Sequence, residues 1–274
     1  MSASPPFSNP LRETKLAIEA GVRASKAVME IYRQDFTSGV KEDDSPITKA
    51  DLESNRIIKE VLSASGLKVL SEEDEDDKSR LDAEKIWIID PLDGTSDFVN
   101  RTGEFTIMIA LVENKRPILG LICRPTTDSL FLAQKGGGAF QLDCGEWKKL
   151  HVSGTDDLTK CRAVGSRFHL SEQEKEFFRD LGVMSFESRG SSLKVAEICM
   201  GMADLYLTTS NKIKQWDTCA SYCLVTEAGG RMTDIDGADI LYNVDRINHE
   251  RGLLVSNGIV HDEIVKQYKL KNAL

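Results

Sequence analysis

Apolar residues recur at helical spacing near the start of the chain. Leu11, Leu16, Ile18, Val22, Val28, Ile31 and Tyr32 predict a first helix over about residues 10–32, with Pro10 suited to its first turn. After a polar loop at 38–46, Thr48 opens a second helix that carries Leu52, Ile57, Ile58, Val61 and Leu62 and ends near Gly66. Thr48 and Asp51 make a capping box in the looser form that admits Asp. The period then shortens. "LKVL" reads as a strand fragment, and Ile86, Trp87, Ile88 and Ile89 form an apolar run, β-branched and aromatic, that predicts a buried strand ending at Asp90. A short helix is expected at about 96–100. From 104 to 140, strand-like runs alternate with turn signals at 114–117, 125–128 and 136–138, the pattern of an antiparallel meander. The triple glycine there lacks the Lys-Ser/Thr ending and following helix of a phosphate loop, so it is assigned to a hairpin turn.

From about Thr155 the two periods interleave. "CRAVGS" predicts a strand, "SEQEKEFFRDLG" a helix capped by Ser171 and ended by Gly182, and "SSLKVAEICMG" another helix. "ADLYLTT" is a strand, "WDTCASYCLVTEAGG" a helix opened by Asp217 and ended at Gly229, and "RGLLVSNG" a strand before a final helix. Residues 1–154 thus have α+β character and 155–274 α/β character, as two closely packed halves or one large domain.

Composition narrows the function classes. No span approaches the length of a transmembrane helix, and "MSASPPFSNP" has neither a basic region nor an apolar core, so a cytoplasmic protein with a frayed N-terminus and no membrane partner is expected. The six Cys have no paired framework and are expected as reduced thiols. Cys219 and Cys223 stand one helical turn apart without a neighbouring His pair, which suits small buried residues better than zinc ligands. A formal charge of −9 argues against a nucleic-acid polymer as partner, because such surfaces carry clustered Lys and Arg. It also means that a phosphate could bind only where the local sign is reversed, as a bound divalent cation reverses it.

The chemistry gathers in "KIWIIDPLDGTSDF". Asp90 and Asp93, three residues apart, can share one site, and Gly94 permits close backbone approach to a ligand. Carboxylate oxygens and a main-chain carbonyl are the ligand set of hard cations such as magnesium, and the loop holds no His or Cys. The amides of Gly94 and Thr95, leading into the short helix, suit an anionic oxygen. An ordinary Asp-Gly turn has the same residues, so other segments must decide. Glu72 begins six consecutive acids, 72–77, most of them expected as a solvated loop; Glu72 itself stands at a strand exit, and faces the same ion as Asp90 if the two strands are neighbours. Asp217 is either an N-cap or the further carboxylate that such a site needs.

"DPLDGTSDF", with "SEE" and "TKAD" upstream and "WDTCA" downstream, resembles the inositol monophosphatase superfamily of lithium-sensitive, magnesium-dependent phosphatases. The resemblance runs from the first helix to the last. It implies a layered αβαβα sandwich and commonly a homodimer. Carried over by position, it implies that Glu72, Asp90 and the Leu92 carbonyl bind one magnesium, that Asp90, Asp93 and Asp217 bind a second, and that a third ion is held more loosely near Glu72. Gly94 and Thr95 would receive the phosphate, and Asp51 and Thr95 would polarise the attacking water.

"RTGEFT", "RGSSLK" and "GSRFHLSE" look like the bisphosphate nucleotidase branch, which removes the 3'-phosphate of adenosine 3',5'-bisphosphate. That resemblance implies that Ser191 and Lys194 hold the 5'-phosphate and that His169 lies against the nucleoside. The plain alternatives are a solvated helix residue for Lys194 and a loop residue for His169. One departure stands out: nucleotidase relatives tend to place an Arg where this chain has Thr208, which offers neither a bidentate fork nor a stacking plane. Lys212 or Lys214 are candidates to compensate. An inositol monophosphatase or inositol polyphosphate 1-phosphatase is the alternative reading. A catalytically silent metal- or nucleotide-binding regulator ranks below both.

Overall fold

The computed structural model describes residues 4–34, 38–40 and 46–272. The first helix, α1 (Thr14–Tyr32), is followed by the antiparallel ribbon β1 (Ser38–Val40) and β2 (Pro46–Thr48), which leads into α2 (Lys49–Leu62). Of the expected polar loop, residues 41–45 lie outside the described residues. A seven-stranded sheet comes next, in the order β3 (Lys68–Ser71), β4 (Lys85–Asp93), β5 (Thr106–Glu113), β6 (Arg116–Arg124), β7 (Ser129–Gln134), β8 (Gly138–Asp143) and β9 (Glu146–Lys149). Only its first pair, β3 with β4, is parallel; the rest is the expected meander, with the triple glycine at the β7–β8 hairpin.

The remaining elements are β10 (Arg162–Ser166), α4 (Glu172–Leu181), β11 (Ser185–Arg189), α5 (Leu193–Cys199), β12 (Leu205–Thr208), α6 (Gln215–Glu227), β13 (Arg231–Thr233), β14 (Leu253–Ser256) and α7 (His261–Asn272). The strands among them form a second sheet in the order β11-β10-β12-β14-β13. The short helix after β4 is α3 (Thr95–Val99).

Side-chain alternation explains the layering. On β4 and β5, Trp87, Ile89, Ile107, Ile109 and Leu111 pack with α1 and α2, while Ile86, Ile88, Met108, Ala110 and Val112 pack with α5, α6 and one face of the second sheet. Successive strand residues face opposite sides, so a sheet covered on both faces reads as one continuous apolar run. The other face of the second sheet, with Ala163, Leu205, Leu207 and Leu254, is covered by Phe177 and Phe178 of α4 and Ile264 of α7. The result is a layered αβαβα sandwich. α6 comes very close to the first sheet, because any Cβ at Gly120 of β6 would collide with the Ala220 carbonyl.

Two expectations about the N-terminus are corrected. The first helix begins at Thr14 rather than near Pro10, because Gln134 of β7 holds the preceding segment: its side chain accepts from Leu11 N (2.8 Å) and donates to the Asn9 carbonyl (2.9 Å). Of the N-terminus expected to be frayed, residues 1–3 lie outside the described residues, and the segment from residue 4 is packed. Phe7 is buried edge-on against Phe140 with ring centroids 5.7 Å apart, and Trp147 Nε1 donates to the Ser4 carbonyl.

Candidate metal centre

Register places the carboxylates. Leu70 of β3 pairs with Ile88 of β4, and both face the middle helical layer. Two residues on, alternation keeps Glu72 and Asp90 on that same side, where α6 presents Asp217. Carboxylate oxygens of Glu72, Asp90 and Asp217 lie within 4.8 Å of one another. The expected meeting of Glu72 and Asp90 across neighbouring strands is observed.

Three local expectations change. Asp90 does not end its strand: β4 runs on to Asp93 with a register shift between the two aspartates, so the turn that carries them is a bulge in a paired strand. The short helix spans Thr95–Val99, one residue earlier than expected. Asp217 is not the N-cap of α6 but its third residue, and its Oδ2 accepts the Lys214 N–H at 2.7 Å. That bond leaves the other carboxylate oxygen for the centre.

Each remaining group is held by specific partners. Asp90 Oδ1 accepts from Leu92 N at 3.0 Å. Asp93 Oδ2 accepts from Ser192 N (2.5 Å) and Thr106 Oγ1 (3.1 Å), and the Thr106 and Ser192 hydroxyls are 2.7 Å apart. Asp51 is 1% exposed; its Oδ2 accepts from Thr48 N and Oγ1 (2.7 and 2.6 Å) and its Oδ1 from Thr95 Oγ1 at 3.0 Å. The capping box is therefore present, and the same carboxylate reaches the loop with its free edge. The Leu92 carbonyl lies 3.1 Å from Thr95 Oγ1. Gly94 has φ +87°, and a Cβ there would meet Ser191 Cβ at 3.0 Å, so only glycine fits between the two segments.

Electrostatics tie these groups into one unit. Burial, followed by the charges of Glu72, Asp93 and Asp217, holds the Asp90 carboxyl well above the usual range. Burial, followed by Glu72, raises Asp217 in the same way. Burial raises Asp93, opposed by Lys194 and the Ser192 amide, and raises Asp51, opposed by the Thr48 and Thr95 hydrogen bonds. Buried carboxyls raised by the charge of neighbouring carboxylates, as Asp90 and Asp217 are, mark a site short of positive charge. With oxygen donors and no imidazole or thiol among them, the set fits a hard divalent cation of the magnesium type.

The centre opens into a cleft of about 790 Å³ lined by Gly94, Thr95, Phe168, His169, Ser191, Lys194, Thr208, Lys212 and Lys214 among others. Lys194 is not a solvated helix residue. It is buried, donates to the Ser191 carbonyl at 2.5 Å and lies 5.3 Å from the Tyr206 ring centroid; burial depresses its pKa while Asp93, Asp97, Asp217 and Glu104 favour its charged form. Ser191 sits in the left-handed region at φ +49°, with its buried hydroxyl unpartnered in the protein. His169 occupies an exposed turn, and partial burial of its ring and the nearby charges of Lys194 and Lys212 lower its pKa. Thr208 Oγ1 accepts from Ser210 N in a local bond at 3.2 Å.

The acidic run is less solvated than expected. Asp74 pairs with Lys59 at 2.6 Å, and Asp76 pairs with buried Arg80 at 2.8 Å. Sequence reasoning also missed Thr106 and Ser192 as the partners that aim Asp93. Both stand inside motifs already singled out, "RTGEFT" and "RGSSLK", but nothing in their spacing shows that the two segments meet.

Residues 10–271 match the inositol monophosphatase family. The chain belongs to that family. It is 34% identical over 224 residues to the 3'(2'),5'-bisphosphate nucleotidase CysQ of Salmonella typhimurium, covering 80% of this chain and 89% of that one. The CysQ of Escherichia coli K12 matches at the same identity and coverage. Among solved structures, CysQ from Bacteroides thetaiotaomicron, described as a bacterial member of the inositol monophosphatase family, superposes with a TM-score of 0.76 at 30% identity over 88% of this chain and 95% of that one. The IMPase of Thermotoga maritima superposes with a TM-score of 0.80 at 26% identity over 95% and 98%. The family's fold and the cleft geometry are thus found together in one chain.

Proposed function

We propose that this protein is a magnesium-dependent 3'(2'),5'-bisphosphate nucleotidase, removing the 3'-phosphate of adenosine 3',5'-bisphosphate to give AMP and phosphate with water as nucleophile. The observation that carries the reading is the Glu72–Asp90–Asp217 cluster beside the Gly94–Thr95 turn and Asp51, in a chain whose curated relatives bear that enzyme's name. Glu72, Asp90, the Leu92 carbonyl, Asp93 and Asp217 are the groups that would hold two to three magnesium ions. Magnesium, when bound, lowers the pKa of water and neutralises phosphate charge.

The chain's own residues do the rest. Thr95 Oγ1 donates to Asp51 Oδ1 and keeps lone pairs for a proton of the attacking water, so that proton passes through Thr95 towards Asp51. Burial has already raised the Asp51 pKa, which suits it to receive a proton. The Gly94 and Thr95 amides orient the phosphate. The water oxygen bonds to phosphorus as the bond from phosphorus to the 3' oxygen breaks; the departing 3' oxygen takes a proton from solvent, and Asp51 returns to solvent the proton it received. Ser191 and Lys194 hold the second phosphate, for which the metals supply no charge, and His169 flanks the nucleoside.

Thr208 favours a second reading, an inositol monophosphatase or inositol polyphosphate 1-phosphatase, because nothing at that position grips a base. An inactive regulator ranks last, since a broken site is its signature and every expected group is present. Lithium inhibition, a homodimer, a cytoplasmic location and a place in sulfur assimilation belong to the same proposal. The test is phosphate release, with magnesium, from adenosine 3',5'-bisphosphate and inositol 1-phosphate side by side, with and without lithium. A strong, lithium-sensitive nucleotide preference is expected. Preference for the inositol ester would overturn the nucleotidase reading and return Ser191 and Lys194 to structural roles.

A further inference from the structure

The acidic segment after Glu72 is an arch with both feet fixed. On one side, Asn55 of α2 accepts from Ser71 Oγ (2.8 Å) and donates to Asp74 (3.0 Å), which Lys59 also grips. On the other side stands Arg80, 3% exposed, which holds Asp76 through Nε and Nη2 at 3.0 and 2.8 Å. Its Nη1 donates to Asn243 Oδ1 (3.0 Å) and to the Val244 carbonyl (3.1 Å). Asn243 returns two bonds from Nδ2, to the Arg80 and Ala83 carbonyls, both at 3.1 Å, and its own N–H donates to Gln215 Oε1 at 2.7 Å. Gln215 Nε2 closes the set on the Val244 and Arg246 carbonyls at 3.1 and 2.9 Å.

Gln215 is the first residue of α6, two before Asp217, and Asp76 lies four residues after Glu72. The bridge therefore spans from the segment of one carboxylate to the helix of another. Glu72 and Asp217 are far apart in the chain, and like charges so close push their segments apart. A buried polar bridge whose donors and acceptors are matched resists that separation. We infer that Arg80, Asn243 and Gln215 are positioning residues that set the spacing of Glu72 and Asp217 and thereby the magnesium affinity of the centre. The inference rests on the metal-centre reading above.

Groups that orient metal ligands typically govern affinity by about 10–100-fold. The experiment is calorimetric titration of magnesium into the metal-stripped full-length protein without substrate, for the wild type, Gln215→Ala and Asn243→Gly. Asn243 has φ +51°, so glycine keeps the backbone conformation and removes only the side-chain bonds, which makes it the milder variant. Both are expected to bind magnesium roughly tenfold more weakly. The magnesium concentration for half-maximal activity should rise by the same factor, with kcat recovered at saturation. Phe177→Leu, in the outer core away from the bridge, controls for general loss of stability and should leave magnesium affinity unchanged. Wild-type affinity in a folded bridge variant overturns the inference alone. A wild type that binds no magnesium overturns the metal-centre reading and the inference with it. An equal loss of affinity in Phe177→Leu also overturns the positioning role.

Discussion

Asp90 ends an alternation that is apolar before it: Ile86 and Ile88 of the same face are packed against α6, and the next side chain on that face is a carboxylate 1% exposed. Burial beside Glu72, Asp93 and Asp217 costs free energy while no cation is bound. Asp90→Asn should therefore abolish turnover and yet raise the melting temperature in EDTA by about 2 °C, roughly 1 kcal/mol; a lower melting temperature would contradict the repulsion argument. Lys194→Ala should raise KM for a bisphosphate about 10–100-fold, the scale of a lost charge-assisted contact, and raise KM for a monophosphate far less. Equal effects on both would remove Lys194 from the second-phosphate site. Glu72 and Asp90 were legible in sequence because each follows an apolar run, whereas Asp217, read as a helix opener, is the third residue of α6. The burial of Lys194 was not legible, since it depends on Tyr206 and on a cleft built by distant segments.

At the scale of elements, long periodic helices and the meander follow directly from the sequence, whereas β13 and the β1–β2 ribbon have three residues per strand and no period to read. β11 escapes for another reason: Ser185–Arg189 is a sheet-edge strand with polar positions, held by parallel pairing to β10. The start of α7 carries a pH dependence. His261 is fully buried, with Nε2 at 2.9 Å from Thr233 Oγ1 and Nδ1 at 2.9 Å from Ser256 Oγ. The Thr233 hydroxyl also donates to the Asp234 carbonyl, so it accepts from Nε2–H, and Nδ1 accepts from Ser256. Burial, with Arg231 nearby, lowers this imidazole from 6.5 to about 4, against a smaller opposing effect of Asp262. In that interval the unfolded chain binds more protons than the folded one, so the contribution is intact above about pH 6.5 and is lost as pH falls towards about 4. Urea unfolding at pH 7 and pH 4.5 should show a loss of about 2 kcal/mol from this residue, absent in His261→Gln measured against its own pH 7 value. An unchanged pH dependence in the variant would assign the loss to other groups.

For the molecule as a whole, the centre exists because two sheets share one middle layer. Glu72 and Asp90 come from the first sheet and Asp217 from a helix of the second half, and the apolar cluster around α6 is continuous with both sheets. That convergence is what the sequence motifs imply only through family resemblance, since no local spacing shows that residues 72 and 217 meet. If the proposed homodimer forms, sedimentation of the pure protein should give the mass of two chains, and a single-chain mass at micromolar concentration would exclude it. The decisive measurement for the proposed metal centre is phosphate release from adenosine 3',5'-bisphosphate by metal-stripped protein as magnesium is added back, with the wild type beside Asp90→Asn. No turnover is expected without magnesium, turnover rising with magnesium in the wild type, and none in the variant. Turnover by the metal-stripped protein, or near-normal turnover by Asp90→Asn, would contradict it.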